Sequence, residues 1–299
     1  MNAMDNRTEV REFLSSRRAR ITPENAGLTI FGGNRRVPGL RREEAAMLAG
    51  VSIDYYTRLE RGNLAGVSES VLEALARALQ LDEAERDHLF DLARHANASS
   101  SSRPRAVKQR VRPSVQFMVD AITAAPAFVR NGRMDILAAN RLAQALYAPM
   151  YADPVRPANH SRFIFLDPAA MEFYPDWNLA ANNNVAILRT ESGKNPYDKG
   201  LGDLIGELSM RSEEFRTRWA AHNVRRHYTG NKNFHHPIVG DIELMFEALQ
   251  LAEDPGLTLT VYPAEPGSKS EESLRLLASW AATEGAMLDA VSDKHLQRP

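Results

Sequence analysis

Residues 41–62 read RREEAAMLAGVSIDYYTRLERG, and this stretch decides what kind of chain it belongs to. A short amphipathic pattern ends at Ala49-Gly50-Val51-Ser52, and a second begins at once with Tyr56 and Leu59 on one side. Gly50 can take the left-handed backbone of a tight corner, Val51 fills the angle between two helices, and Ser52 can accept from the free amides of the next one. The spacing predicts a helix-turn-helix, with helices over residues 42–49 and 52–61. That grammar points to DNA, although a helical hairpin with a glycine corner and no DNA contact shares part of it.

Composition leaves room for a second function. The chain has 299 residues, 43% apolar and 25% charged, which suits two globular domains. Its 37 basic and 38 acidic residues give a net charge of −1, so any DNA contact is local rather than a polycationic wrap. Cysteine is absent, which excludes disulfides, thiolate metal sites and a cysteine nucleophile. No apolar signal core opens the sequence and no long apolar run follows, so the expectation is a soluble, cytoplasmic protein without a membrane partner.

Outward from the motif, residues 6–20 predict a first helix with Val10, Phe13 and Leu14 as its stripe. A glycine-rich connection over 27–39 carries Arg35 and Arg36 into the motif. Ser68 suits the start of a fourth helix with Val71, Leu72, Leu75, Ala76 and Leu79 inward, and Leu81-Asp82 opens a fifth through Leu92. Residues 1–95 thus form an all-α five-helix domain. Its first 65 residues hold eleven arginines against eight acids, whereas residues 66–95 hold three against seven. The basic part contains the motif. Residues 96–112 read as a polar linker with Arg103, Arg105, Lys108, Arg110 and Arg112, either an auxiliary contact to DNA backbone or a solvated hinge.

Beyond Pro113 the pattern becomes α+β. A helix over 114–124, with Val115, Met118, Val119 and Ile122 inward, precedes two strands joined at Asn131-Gly132. Residues 140–147 are helical, and FIFLD (163–167) is strand-like or opens a helix. Long helices are expected over 171–189 and 201–218, then strands in KNFHHPIVG, DIELMFEALQL and LTLTVYPAEP. The second domain spans 113–267, and 268–299 holds a terminal helix and tail.

These pieces resemble a known family. Residues 35–62, followed by SVLEALARALQLDEAERDHLFDLA, closely resemble the helix-turn-helix of XRE (lambda-repressor-like) regulators in their actinobacterial branch. FIFLDPAAMEFYPDW, IGELSMRSEEFRTRWAAHNVRRHYTGNKNFHHPIVGDIELMFEALQL and LTVYPAEPGS resemble the MmyB-like ligand-binding domain that this branch carries. The resemblance implies a PAS-like fold for the second domain, an apolar cavity for a fatty acid or similar lipid, and a regulator that acts as a homodimer on double-stranded DNA.

In repressor-like docking the second motif helix enters the major groove with its first residues at the base edges. Val51, Tyr56 and Leu59, with Ala45 and Leu48, have core spacing. Asp54, Tyr55 and Arg58 remain for base edges, Arg58 forking onto guanine and Tyr55 facing a thymine methyl. Arg41, Arg42, Ser52 and Arg61 fall to phosphates. Glu60 would repel phosphate and is expected to form an ion pair within the fold.

A hydrophobic-ligand sensor needs an apolar cavity with few polar anchors. The candidate lining is Phe117, Phe163, Phe165, Tyr174, Trp177, Leu208, Phe215, Trp219, Phe234 and Phe246. Asn182, Arg189, Arg225, Arg226 and His227 are candidates to meet a carboxylate. His222, His227, His235 and His236 crowd near Asp241 and Glu243, but their spacings of 5, 8 and 1 match no compact zinc pattern. Neither a metal, a cofactor nor a catalytic residue is assigned. The alternatives are a second domain that only dimerises and, with no supporting motif, a catalytic one.

Overall fold

The corner at Gly50 forms as its residues dictate. Gly50 has φ +64°, and the Ser52 side chain caps the following helix by accepting from the Tyr55 amide at 3.2 Å. The computed structural model describes residues 6–28, 37–97, 110–222 and 229–296. Arg35, Arg36, Arg103, Arg105, Lys108, Arg225, Arg226 and His227 lie outside the described residues. The chain divides into two compact units, Met1–Val107 with Val185–Arg226, and Lys108–Asn184 with His227–Pro299.

The first unit is all-helical among its described residues. Helices α1 (Asn6–Arg20), α2 (Arg42–Leu48), α3 (Ile53–Glu60), α4 (Glu69–Ala78) and α5 (Glu83–Asn97) close on Val10, Phe13, Leu14, Tyr56, Leu59 and Leu75. Ala45 is buried with them, while Leu48 and Val51 pack against the same core half-buried. The unit also takes in the end of α11 (Trp177–Lys194), all of α12 (Lys199–Arg211) and α13 (Glu213–Ala220).

The second unit is built on an open five-stranded antiparallel sheet: β1 (Ala127–Asn131), β2 (Ile136–Ala139), β3 (Thr229–His236), β4 (Gly240–Gln250) and β5 (Leu257–Val261), in the order β2-β1-β5-β4-β3. The β1–β2 turn is fixed by Asn131 Oδ1, which accepts from the amides of Arg133 and Asp135 at 3.0 Å each. Helix α6 (Pro113–Ala121) applies Val115 and Val119 to one face, over Ala127, Val129, Leu257 and Leu259. The other face carries Phe128, Phe234, Phe246 and Tyr262. On that side the ring of Phe128 meets those of Tyr147 and His160. The chain between β2 and α11 forms α7 (Arg141–Leu146), α8 (Ala148–Tyr151), α9 (His160–Leu166) and α10 (Ala169–Phe173), and α14 (Lys269–Leu296) packs on α7 and β4. On β4 the alternation is regular: Ile242, Leu244 and Phe246 are buried, Asp241, Glu243 and Met245 exposed.

Three sequence expectations need correction. FIFL closes helix α9, whose start Asn159 caps by accepting from the Arg162 amide at 3.0 Å, so the segment is neither a strand nor the opening of the following helix. The helix expected over 171–189 is broken at Tyr174-Pro175, because a residue before proline is driven into extended backbone; Tyr174 has φ −107° and ψ 104°. The helix expected over 201–218 is likewise two, since Ser212 leaves α12 with φ −130° and ψ 115° and caps α13 through the Phe215 amide at 3.1 Å.

Candidate functional site

The face of the motif is polar and open. Arg41, Arg42, Ser52, Asp54, Arg58 and Arg61 are exposed, and Tyr55 is half-buried against the core edge. The Arg58 guanidinium stands 4.7 Å from the centre of the Tyr55 ring, so the two side chains present one surface. Arg41 pairs with Glu43 at 3.3 Å. Beneath this face Glu60 is 2% exposed and receives Arg18 at 2.9 Å and Arg42 at 3.0 Å. Burial pushes the Glu60 carboxyl up, and the two guanidiniums outweigh that and hold it below the usual range. Arg42 is therefore tied by one edge to the fold, while its side chain stays half-exposed.

A second polar cluster lies inside the first unit, built from residues far apart along the chain. Arg189 of α11 is fully buried, with Nη1 2.5 Å from Glu9 Oε1 of α1 and 3.0 Å from His222 Nδ1. His222 Nδ1 also stands 3.6 Å from Glu9 Oε1, and its Nε2 meets Glu12 Oε2 at 3.0 Å. His88 Nε2 of α5 stands 3.6 Å from Glu9. Burial alone would raise the Glu9 carboxyl; the His222 and His88 rings and the Arg189 charge reverse this and hold it well below the usual carboxylate range. Gly193 makes the approach of α11 to α5 possible, since a β-carbon there would fall 2.4 Å from the His88 ring. Glu9, Glu12 and His222 are close enough together to suggest a metal, but Arg189 already occupies the inner oxygen of Glu9 and the inner nitrogen of His222. A groove of about 760 Å³ opens beside this cluster, lined in part by Glu12, Arg18, Leu40 and Trp219.

In the second unit an aromatic layer forms where α7, α9 and α10 meet the sheet. The Tyr147 ring lies 4.6 Å from that of His160, 5.8 Å from Phe173 and 5.9 Å from Phe234. Phe163 packs on Phe173 and Tyr174, and Phe165 on Trp177, whose indole donates to the Ile164 carbonyl at 3.0 Å. The Tyr147 hydroxyl donates to that of Tyr262 at 3.0 Å. Burial drives the phenols of Tyr147 and Tyr174 well above their ordinary range, so both remain hydrogen-bond donors.

The expected ligand set divides accordingly. Phe163, Phe165, Tyr174, Trp177, Phe234 and Phe246 belong to the unit with the sheet. Leu208, Phe215, Trp219 and Arg189 belong to the other unit, where Phe215 and Trp219 stack at 5.5 Å and Arg189 stands 3.8 Å over the Trp219 ring. Arg189 is no ligand anchor, because its carboxylate is the protein's own Glu9. Phe117 is 70% exposed and Met118 also faces outward, since only the i, i+4 pair Val115 and Val119 meets the sheet. Asn182 is exposed as well. The aromatic layer also takes in Phe128, Tyr147, His160, Phe173 and Tyr262, with Lys232 beside it; they come from separate elements and share no local motif that sequence reading could find. His235 and His236 point to opposite faces: the first pairs outside with Asp241, and the second is buried on the Ala145 carbonyl at 3.0 Å.

Residues 11–89 match a helix-turn-helix domain, and residues 111–277 match the MmyB-like transcription regulator ligand binding domain. The chain belongs to the MmyB-like transcription regulators. A search of curated proteins finds no significant match. As an MmyB-like regulator of XRE type, the protein is a DNA-binding regulator fused to a ligand-binding region, and neither matched region is catalytic. The part of the MmyB-like match over 185–226 shares its compact unit with the helix-turn-helix. Among the described residues no helix is long and apolar enough to cross a membrane.

Proposed function

We propose that the protein is a cytoplasmic, homodimeric regulator that binds an operator sequence-specifically and responds to a hydrophobic small molecule such as a fatty acid. The observation that carries this is the aromatic layer of the second unit, inside the matched ligand-binding region. Asp54, Tyr55 and Arg58 read base edges, and Arg41, Arg42, Ser52 and Arg61 hold phosphates; the exposure of all of them but the half-buried Tyr55 on one motif supports this. The antiparallel sheet with helices gathered between β2 and β3 supports a PAS-like description. Two-fold pairing would supply half-sites about one helical turn apart, and the exposed Phe117 and Met118 of α6 offer apolar surface for it.

Organic extraction of the purified protein followed by mass spectrometry tests the ligand, and operator titration with and without the recovered compound tests the response. A co-purifying acyl compound that shifts operator affinity is expected. An empty domain, with operator affinity indifferent to added lipids, would leave only a dimerisation module.

A further inference from the structure

Lys232 of β3 is a cation set among aromatic rings. Among the described residues its ammonium has no carboxylate partner; it sits 5.4 Å from the centre of the Tyr174 ring, 5.8 Å from Phe234 and 5.7 Å from Tyr262, and reaches the Tyr262 hydroxyl at 3.5 Å. Three aromatic faces attract a cation through their quadrupoles, and beyond the Tyr262 hydroxyl they offer no acceptor for its other two N–H donors. Around it the core is short of partners too. Among the described residues, both nitrogens of His160, 2% exposed, have no hydrogen-bond partner, and the Tyr174 hydroxyl, 1% exposed, has none within hydrogen-bond distance, its nearest electrostatic neighbour being the Tyr147 hydroxyl. On the same face of the sheet, Thr260 Oγ1 of β5 is also buried and unpartnered, two residues before Tyr262. Each such orphan costs roughly 1–3 kcal/mol in an apolar interior, so a group of them against one unpaired charge calls for a guest.

The guest's chemistry follows from the hosts. Lys232, Tyr174 and Tyr262 all offer hydrogens, and a single ammonium balances a single negative charge. A tight phosphate site would call for further cations or an arginine fork. His160 is held neutral: burial pushes its pKa well below the ordinary value, and the charges of Lys232 and Arg130 push it further. It therefore adds a hydrogen bond and no second charge.

We propose that Lys232, with the Tyr174 and Tyr262 hydroxyls and the His160 ring, is the polar anchor for the carboxylate of an apolar monocarboxylate ligand. The inference rests on the small-molecule reading of this domain and identifies the end of the ligand that the protein recognises. The anchors suggested by sequence alone are replaced by groups from β3, α9, the segment after α10 and the segment after β5.

The test uses the full chain stripped of lipid, with dodecanoate, its methyl ester and dodecanol as probes in calorimetric titration. Dodecanoate should bind the native protein and the uncharged pair more weakly. Lys232→Met, which keeps the side chain's length over the rings, should weaken dodecanoate roughly 10- to 100-fold, the worth of a charged hydrogen bond, and abolish the preference for acid over ester. Tyr262→Phe should weaken the acid several-fold and leave the ester unchanged. A near-ultraviolet circular dichroism spectrum identical to the native one certifies the fold of each variant. If acid and ester bind equally and Lys232→Met changes neither, the anchor is refuted while a lipid-binding domain stands. If no probe binds, the acyl-ligand reading and its anchor fall together.

Discussion

Arg189 of α11 and Glu9 of α1 lie 180 positions apart in sequence and 2.5 Å apart in space, both buried. The bond joins a helix of the matched ligand-binding region to the first helix of the DNA-binding bundle. A buried pair contributes little net stability against apolar replacements, but loss of one partner strands the other charge. Glu9→Gln should therefore destabilise the protein by about 3–5 kcal/mol in urea unfolding, and Glu9→Leu with Arg189→Met should recover much of it.

The same carboxylate sets a pH dependence. Its folded pKa is depressed, so its stabilisation is complete above the ordinary carboxylate value of 4.5 and is lost as pH falls from there toward the depressed folded value. Denaturant midpoints measured across that acid range should fall less steeply in Glu9→Gln than in the native chain.

His160 acts higher on the scale. With its folded pKa pushed below the ordinary 6.5, the unfolded chain takes up a proton that the folded one refuses. Stability is complete above 6.5 and declines as pH falls through it, by at most about 1.4 kcal/mol per pH unit for one group. The groups facing the ring are Tyr147 and Phe128, with Lys232 and Arg130 as the nearby charges. His160→Phe should flatten the decline between pH 6.5 and 5, seen in thermal midpoints of the second unit.

Gly193 provides a steric test. A methyl group there would press into His88, whose ring is already held edge-on by Phe13 at 5.0 Å. Gly193→Ala should cost about 1–3 kcal/mol of stability, although alanine is the better helix former.

On DNA, two arginines of the motif should behave differently. Arg58→Ala should lower operator affinity by about 1–3 kcal/mol and relax the preference at one base pair. Arg61→Ala should weaken operator and unrelated DNA alike and reduce the salt slope by about one. Equal losses on both DNAs for Arg58→Ala would remove it from base reading.

How much of this was legible in the sequence depended on distance along the chain. Gly50, Ser52, Tyr56 and Leu59 act within one or two turns, so their roles were readable from spacing. The strand pairs around Asn131 were equally local. Pro175 and Ser212 are breakers visible in the sequence, and each divides a stretch whose apolar spacing alone reads as one long helix. Phe117 misled because an aromatic residue in an amphipathic helix reads as core, and only the contact of Val115 and Val119 with the sheet decides its face. Arg189 resembled a ligand anchor because its real partner lies in the first helix. Lys232 and His160 carry no motif at all; what makes them informative is missing partners, and an absence of partners exists only in three dimensions.

The discontinuous first unit has a consequence for the order in which the molecule is made. Glu9 and His88 leave the ribosome long before Arg189, and α1 reaches its buried setting only after the chain has been synthesised through α13. The motif's own short-range contacts can form early, but the completed reading unit depends on closure of a very long loop, which slows folding and leaves a carboxylate waiting for its cation. Translation thus ends the assembly of the DNA-reading unit with residues from the ligand-binding region, so a ribosome that stalls between α5 and α11 releases an unfinished reader.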